Sequence, residues 1–196
     1  MSRRAFLFFS AGLALALVLG WAAFPRLLYA RAEQPLRFSH QTHASEKTGF
    51  SCADCHPIAA DGRFAGIPAI ENCAGCHAEP QGPSADEKRL VEEYVTPGRE
   101  IPWLVYGRQP ENVRFPHAIH VSRAGIECER CHGPHGTTDS LRPHETNRIS
   151  GYSRDIWGPS LARVGTRPWQ RMKMSDCESC HAEHGRERTA CLACHK

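Results

Sequence analysis

Five copies of Cys-x-x-Cys-His constrain this 196-residue chain more than any other feature. They are Cys52/Cys55/His56, Cys73/Cys76/His77, Cys128/Cys131/His132, Cys177/Cys180/His181 and Cys191/Cys194/His195. Two cysteines three apart with a histidine directly after are the attachment signal for a c-type haem. The thiols add across the haem vinyl groups, and the histidine binds the iron from one face. Zinc knuckles and disulfide scaffolds also use paired cysteines, but neither needs the histidine. With 12 histidines in 196 residues, chance would fill that position five times over about once in a million. All ten cysteines are consumed, so five covalently bound haem c groups are expected.

Composition explains why the haems matter for folding. The 164 residues after Ala32 contain only 24 Leu, Ile, Val and Phe, about 15%, below the roughly 20% under which a chain starts to look disordered. So little aliphatic surface cannot offset the entropy of ordering the chain. Porphyrin plates would have to supply the interior. The expected fold is mostly coil with short α-helices packed around c-type haems, plus one N-terminal transmembrane helix, and the apo-protein is expected to be unfolded.

That N-terminal helix is read from Ala5 to Phe24, twenty mostly apolar residues after Arg3 and Arg4. At 1.5 Å per residue they span about 30 Å, the thickness of a bilayer core. A cleaved signal peptide is the competing reading, with Ala30-Arg31-Ala32 as its cleavage site, but the apolar run is long for one. An uncleaved anchor in the cytoplasmic (inner) membrane is favoured. The two arginines keep residues 1–4 in the cytoplasm and place the haem domain in the periplasm, with Trp21 and Tyr29 at the outer interface.

The distal iron ligands are sought among the remaining histidines. Phe38-Ser39-His40-Gln41-Thr42-His43 precedes one motif as Phe115-Pro116-His117-Ala118-Ile119-His120 precedes another, an internal repeat that points to duplication. Histidines three apart share a helical face, so His40, His43, His117 and His120 can each serve a different haem. One haem is left to provide for. His135 is preferred as its ligand, Met172 or Met174 is the alternative, and His144 and His184 stand in reserve. Those last two would otherwise clamp a sixth haem without thioether bonds.

The chain divides accordingly into a linker over 25–37, a two-haem module over 38–83, a helix and partner-docking linker over 84–114, and a three-haem module over 115–196. Ser84 with Glu87 three residues later forms a capping-box start, and the apolar positions Leu90, Val91, Tyr94 and Val95 predict a helix over 85–95. Ile101-Pro102-Trp103-Leu104-Val105-Tyr106 either packs on a haem or docks a partner subunit. The segment from Arg142 to Trp169 is rich in aromatics and arginine around Asn147–Gly158, the composition of an interface.

The formal charge is +3, and no basic run suggests nucleic acid. No Walker or Rossmann glycine pattern is present. Every motif keeps its histidine, so no open iron is presented, and an electron carrier without substrate chemistry is expected. Two other classes compete: a self-sufficient anchored quinol dehydrogenase, and a nitrite or sulfite reductase with a five-coordinate haem.

The duplicated Phe-x-His-x-x-His with a downstream attachment motif resembles the class III multihaem cytochromes c, in which all haems are bis-histidine. The whole layout, and most specifically Ile101–Val121 and Asn147–Gly158, resembles the anchored multihaem cytochrome subunits of menaquinone reductase complexes and of alternative complex III. That resemblance implies a relay that collects electrons from a soluble periplasmic cytochrome c. It would pass them to iron–sulfur, molybdopterin-family and integral membrane quinone-binding subunits. In alternative complex III the flow would run in the quinol-oxidising direction.

Overall fold

The computed structural model describes residues 2–105, 112–149, 151, 167, 169, 172–186 and 191–195. Helix α1 (Arg3–Val18) starts where the Ser2 hydroxyl accepts the Ala5 amide, and it runs on through a wide turn, Leu19–Ala23, into α2 (Phe24–Leu27). The widening comes just before Pro25, which has no N–H to give. Its apolar side chains stand clear of the rest of the molecule: Arg3–Ala23, 21 residues of mean hydropathy 2.1, bury nothing against the protein. By length and composition this helix can cross a membrane.

Two strands follow from it. β1 (Tyr29–Ala32) pairs antiparallel with β2 (His144–Asn147), Tyr29 opposite Asn147 and Ala32 opposite His144. Arg31 meets Glu145 across the ladder at 2.9 Å, and the Arg148 amide donates to the Leu28 carbonyl. Sequence reading treats 25–37 as a linker and has no sheet. Neither stretch alternates polar and apolar residues, and a pairing across more than a hundred residues leaves no local trace. The ladder closes through backbone bonds and fully buried Asn147, whose Oδ1 accepts the Ile149 amide.

The haem-motif region is a run of short helices: α3 (His40–His43), α4 (Cys52–Cys55), α5 (Ile70–Ala74), α6 (Ala85–Arg89), α7 (Cys128–His132), α8 (Met174–Glu183) and α9 (Cys191–Cys194). The helix expected over 85–95 is present, capped by Ser84, with its second half wound wider as Leu90–Val95. The aliphatic core is small: Leu36, Ile70, Tyr94 and Ile101 are buried together, with Cys73, Leu90, Val95 and Trp103 against them. Ile101 thus packs inward beside the second motif; Tyr106 and most of 150–171 lie outside the described residues, as does the greater part of the interface expected around 147–158.

Candidate haem sites

Four of the five attachment motifs have both cysteines within a helix: Cys52 and Cys55 in α4, Cys128 and Cys131 in α7, Cys177 and Cys180 in α8, Cys191 and Cys194 in α9. The histidine then closes a turn. The His56 amide bonds the Cys52 carbonyl, His77 bonds Cys73 and His195 bonds Cys191, at 2.8–2.9 Å. Such a turn puts both thiols and the histidine along one edge. Ser51 and Asp54 close the first turn, the Ser51 amide donating to the Asp54 carboxylate at 2.7 Å. Lys173 and Asp176 do the same for α8.

The second motif departs from this pattern at Cys76. Helix α5 ends at Ala74, and Cys76 lies beyond it in a tightened turn, its amide on the Cys73 carbonyl at 3.1 Å. Gly75 between them has the weakest helix preference of any residue but proline, which favours an end there. Its partner Cys73 packs on the aliphatic core, whereas Cys76 is exposed, as are Cys52 and Cys191. The two thiols expected to share one haem thus differ in surroundings, Cys73 against protein and Cys76 facing out. The His77 bond to Cys73 still closes the turn, so Cys76 keeps its place between them. None of the ten cysteines is joined in a disulfide.

The structure brings the motif histidines together with the distal candidates in pairs. Ring centroids lie 6.5 Å apart for His40–His56, 6.0 Å for His43–His77, 6.3 Å for His117–His132 and 6.2 Å for His120–His181. A metal-bound imidazole nitrogen sits about 2.0–2.1 Å from the metal, and the ring centroid about 1.1 Å further back. Two rings on opposite faces of one iron therefore stand about 6 Å apart. Four pairs meet that requirement. Around them Phe50, Phe64, Ile67, Ile119 and Leu192 turn apolar side chains outward, the surface a porphyrin plate would cover. The residues present fit haem c.

The phenylalanine of the repeat has a job that sequence reading missed. Phe38 stacks on His43 with centroids 4.5 Å apart and meets His40 edge-on. Phe115 repeats this with His120 at 4.2 Å and with His117. One aromatic ring thereby sets the planes of two imidazoles that face different partners. Its place in the repeat was the signal.

The outer nitrogens are also fixed. Nδ1 of His56 bonds the Gly66 carbonyl at 2.7 Å, His43 the Ser39 carbonyl at 2.8 Å, His117 the Arg63 carbonyl at 2.6 Å and His120 the Pro116 carbonyl at 2.9 Å. Such outer partners orient the ring and leave Nε2 free for the metal. His77 differs. Its Nδ1 meets the Glu87 carboxylate at 2.5 Å, both side chains largely buried. Burial works against the Glu87 charge, yet the Gln81 amide and His77 and His43 outweigh it and hold the carboxyl below its usual range. His40 is held down to about 4 by burial, then by His135, His56 and His43. It stays neutral, the form that binds metal.

His135, the preferred ligand for the remaining haem, lies beside His40, centroids 5.8 Å apart, in a turn (His135–Thr137) packed on α3. Thr138 carries this contact, its carbonyl accepting the Gln41 amide and its hydroxyl reaching toward His40. Closeness in sequence to the third motif pulls His135 to that side of the molecule. Nε2 of His195 meets the Met174 sulfur at 3.5 Å, a direct contact shorter than the roughly 4.3 Å that a nitrogen and a sulfur keep across one metal. Met172 makes no described contact with a motif. His144 is held in β2, near Thr146. His184 caps α8, its Nδ1 on the Cys180 carbonyl.

The sites adjoin in a definite order. His40 and His43 share α3, which joins the first and second sites; His117 and His120 share one turn, which joins the third and fourth. Cys128 hydrogen-bonds Cys52, and burial with that thiol pushes Cys128 up. Cys177 lies within electrostatic reach of Cys194 and Cys131. Among the described residues, the motifs run as a row: second, first, third, fourth, fifth.

Residues 24–98 match the model of the class III cytochrome c family. The chain is 39% identical to the menaquinone reductase multihaem cytochrome c subunit of Nitratidesulfovibrio vulgaris strain Hildenborough, over 96% of this chain and 89% of that one. The paired imidazoles, the class III match and an alignment of nearly full length together place this chain in the family of menaquinone reductase multihaem cytochrome c subunits.

Proposed function

We propose that this chain relays electrons between soluble periplasmic cytochromes c and the iron–sulfur, molybdopterin-family and quinone-binding subunits of a membrane menaquinone reductase. Five haem c groups would be bound, one at each motif. Haem supplies reversible one-electron exchange at iron. The cysteines hold it covalently. His56 with His40, His77 with His43, His132 with His117 and His181 with His120 grip the iron from both faces. For the fifth iron Met174 is the candidate opposite His195, its sulfur drawing back by about 1 Å to admit the metal, and a thioether ligand raises that site's potential. With both faces taken at the four paired sites, no iron there is open to substrate, which argues against a nitrite or sulfite reductase. The observation that carries the reading is the set of four imidazole pairs spaced for one iron each.

The N-terminal helix is retained as an anchor in this reading. Its support is β1: a cut after Ala32 would remove half of the sheet that fastens residues 144–147. Arg3 and Arg4 keep the short end in the cytoplasm and the haem region outside.

The test is purification from membranes in mild detergent. The expected result is five haems per chain, recovered with iron–sulfur and quinone-binding companions, and reduced by a soluble multihaem cytochrome. Recovery alone, with oxidation of a menaquinol analogue by the isolated chain, would favour the self-sufficient quinol dehydrogenase.

A further inference from the structure

The second and fifth sites are the ends of the row, and the second has an outer partner unlike those of its neighbours. His43, His56, His117 and His120 give their Nδ1 proton to neutral carbonyls. His77 gives its proton to Glu87. The carboxylate is built into place: Ser84 caps the helix that carries it, its oxyanion accepts the Gln81 amide at 3.0 Å, and the pair is largely shielded from water.

A carboxylate at the outer nitrogen of a metal-bound histidine raises the basicity of that ligand. The ring then carries imidazolate character and gives more electron density to the ferric ion. The negative charge acts in the same direction, since ferric iron carries one more positive charge than ferrous. Both effects favour the oxidised state. Shielding from solvent strengthens them, because the effective dielectric falls. At the first site His56 faces the Gly66 carbonyl and His40 the Thr138 hydroxyl, so no anion acts there through a ligand.

We infer that Glu87 is a potential-setting residue, acting through His77, that holds the second haem below the first. This rests on the bis-histidine reading given above and deepens it. The low-potential end of the row becomes the second site, and the thioether at Met174 makes the fifth the high-potential end. Electrons from a strongly reducing donor then run downhill along the row, entering beside α6.

The test uses the full-length protein in detergent. Glu87→Gln keeps an oxygen that can accept the His77 proton and removes the charge. In a spectroelectrochemical titration one of the five transitions is expected to move upward while four hold. Near-infrared magnetic circular dichroism of the unaltered ferric protein gives a second readout, independent of any variant. One bis-imidazole charge-transfer band is expected to be displaced toward that of imidazolate ligation, and to return in Glu87→Gln. Five unmoved transitions, or no displaced band in the unaltered protein, overturn the inference. So does a lowered melting temperature with unmoved potentials, which would make Glu87 a tie between helix and loop and nothing more. Fewer than five haems in the unaltered protein would strike at the relay reading itself.

Discussion

Nδ1 of His117 lies 2.6 Å from the carbonyl oxygen of Arg63, 54 residues earlier in the chain. The loop that follows the first motif thus orients the ring that faces His132 of the third. The exchange runs both ways, because Thr138, just after the third motif, fastens α3 and faces His40. Two segments that read as separate modules complete each other's sites, so neither is expected to assemble its haems alone.

Gly62 tests that joint. It has φ +70, and a Cβ there would meet the Ala118 Cβ at 3.0 Å. The Ala118 amide bonds the Gly62 carbonyl directly beside His117. Gly62→Ala should cost about 1–2 kcal/mol for the left-handed backbone, with any displacement of Ala118 in addition. A thermal melt followed at the haem Soret band would show it, and the third haem should be the first to change spin state.

Each distal histidine should act on one iron. In His117→Ala or His120→Ala the electron paramagnetic resonance spectrum is expected to gain one high-spin signal and keep the other low-spin ones. Loss of two haems at once would mean that the Phe115 stack holds the pair as a unit.

The fifth site separates Met174 from His135. Met174→Ala should abolish the thioether–ferric charge-transfer band and lower the potential of a single transition. His135→Ala should leave every iron six-coordinate and disturb the first site modestly through His40. The reverse pattern would restore His135 as the ligand.

Among the described residues, the buried apolar side chains are Leu28, Leu36, Ile70, Val91, Tyr94 and Ile101, four of them in one cluster with a few flanking residues. At about 1.5–3 kcal/mol per fully buried large side chain, they cannot offset roughly 1–2 kcal/mol of backbone entropy for each residue ordered. Expression without haem attachment should therefore yield an unfolded domain by far-ultraviolet circular dichroism. A folded apo-domain would show that porphyrin is not the interior.

The attachment motifs, the Phe-x-His-x-x-His repeat, the long apolar N-terminal helix and the capped helix at Ser84 were legible because each is local. Covalent chemistry demands adjacent residues, a repeat shows itself by register, and a helix by its period and cap. The pairing of His40, His43, His117 and His120 with their partners was anticipated only as a set, since residue counts do not say which ring meets which. Glu87 was visible as a capping residue but not as the partner of His77, and Cys73 and Cys76 read alike until the core was seen to cover one and not the other. The contact of Met174 with His195, that of His135 with His40, the row in which the sites adjoin and the β1–β2 ladder depend on chain returns over tens to a hundred residues. Such contacts come from backbone bonds and shape, which leave no pattern in the sequence. The residues thus determined what this protein binds and the groups that hold it; the tertiary structure alone decided their partners, because coordination is set by distance in space.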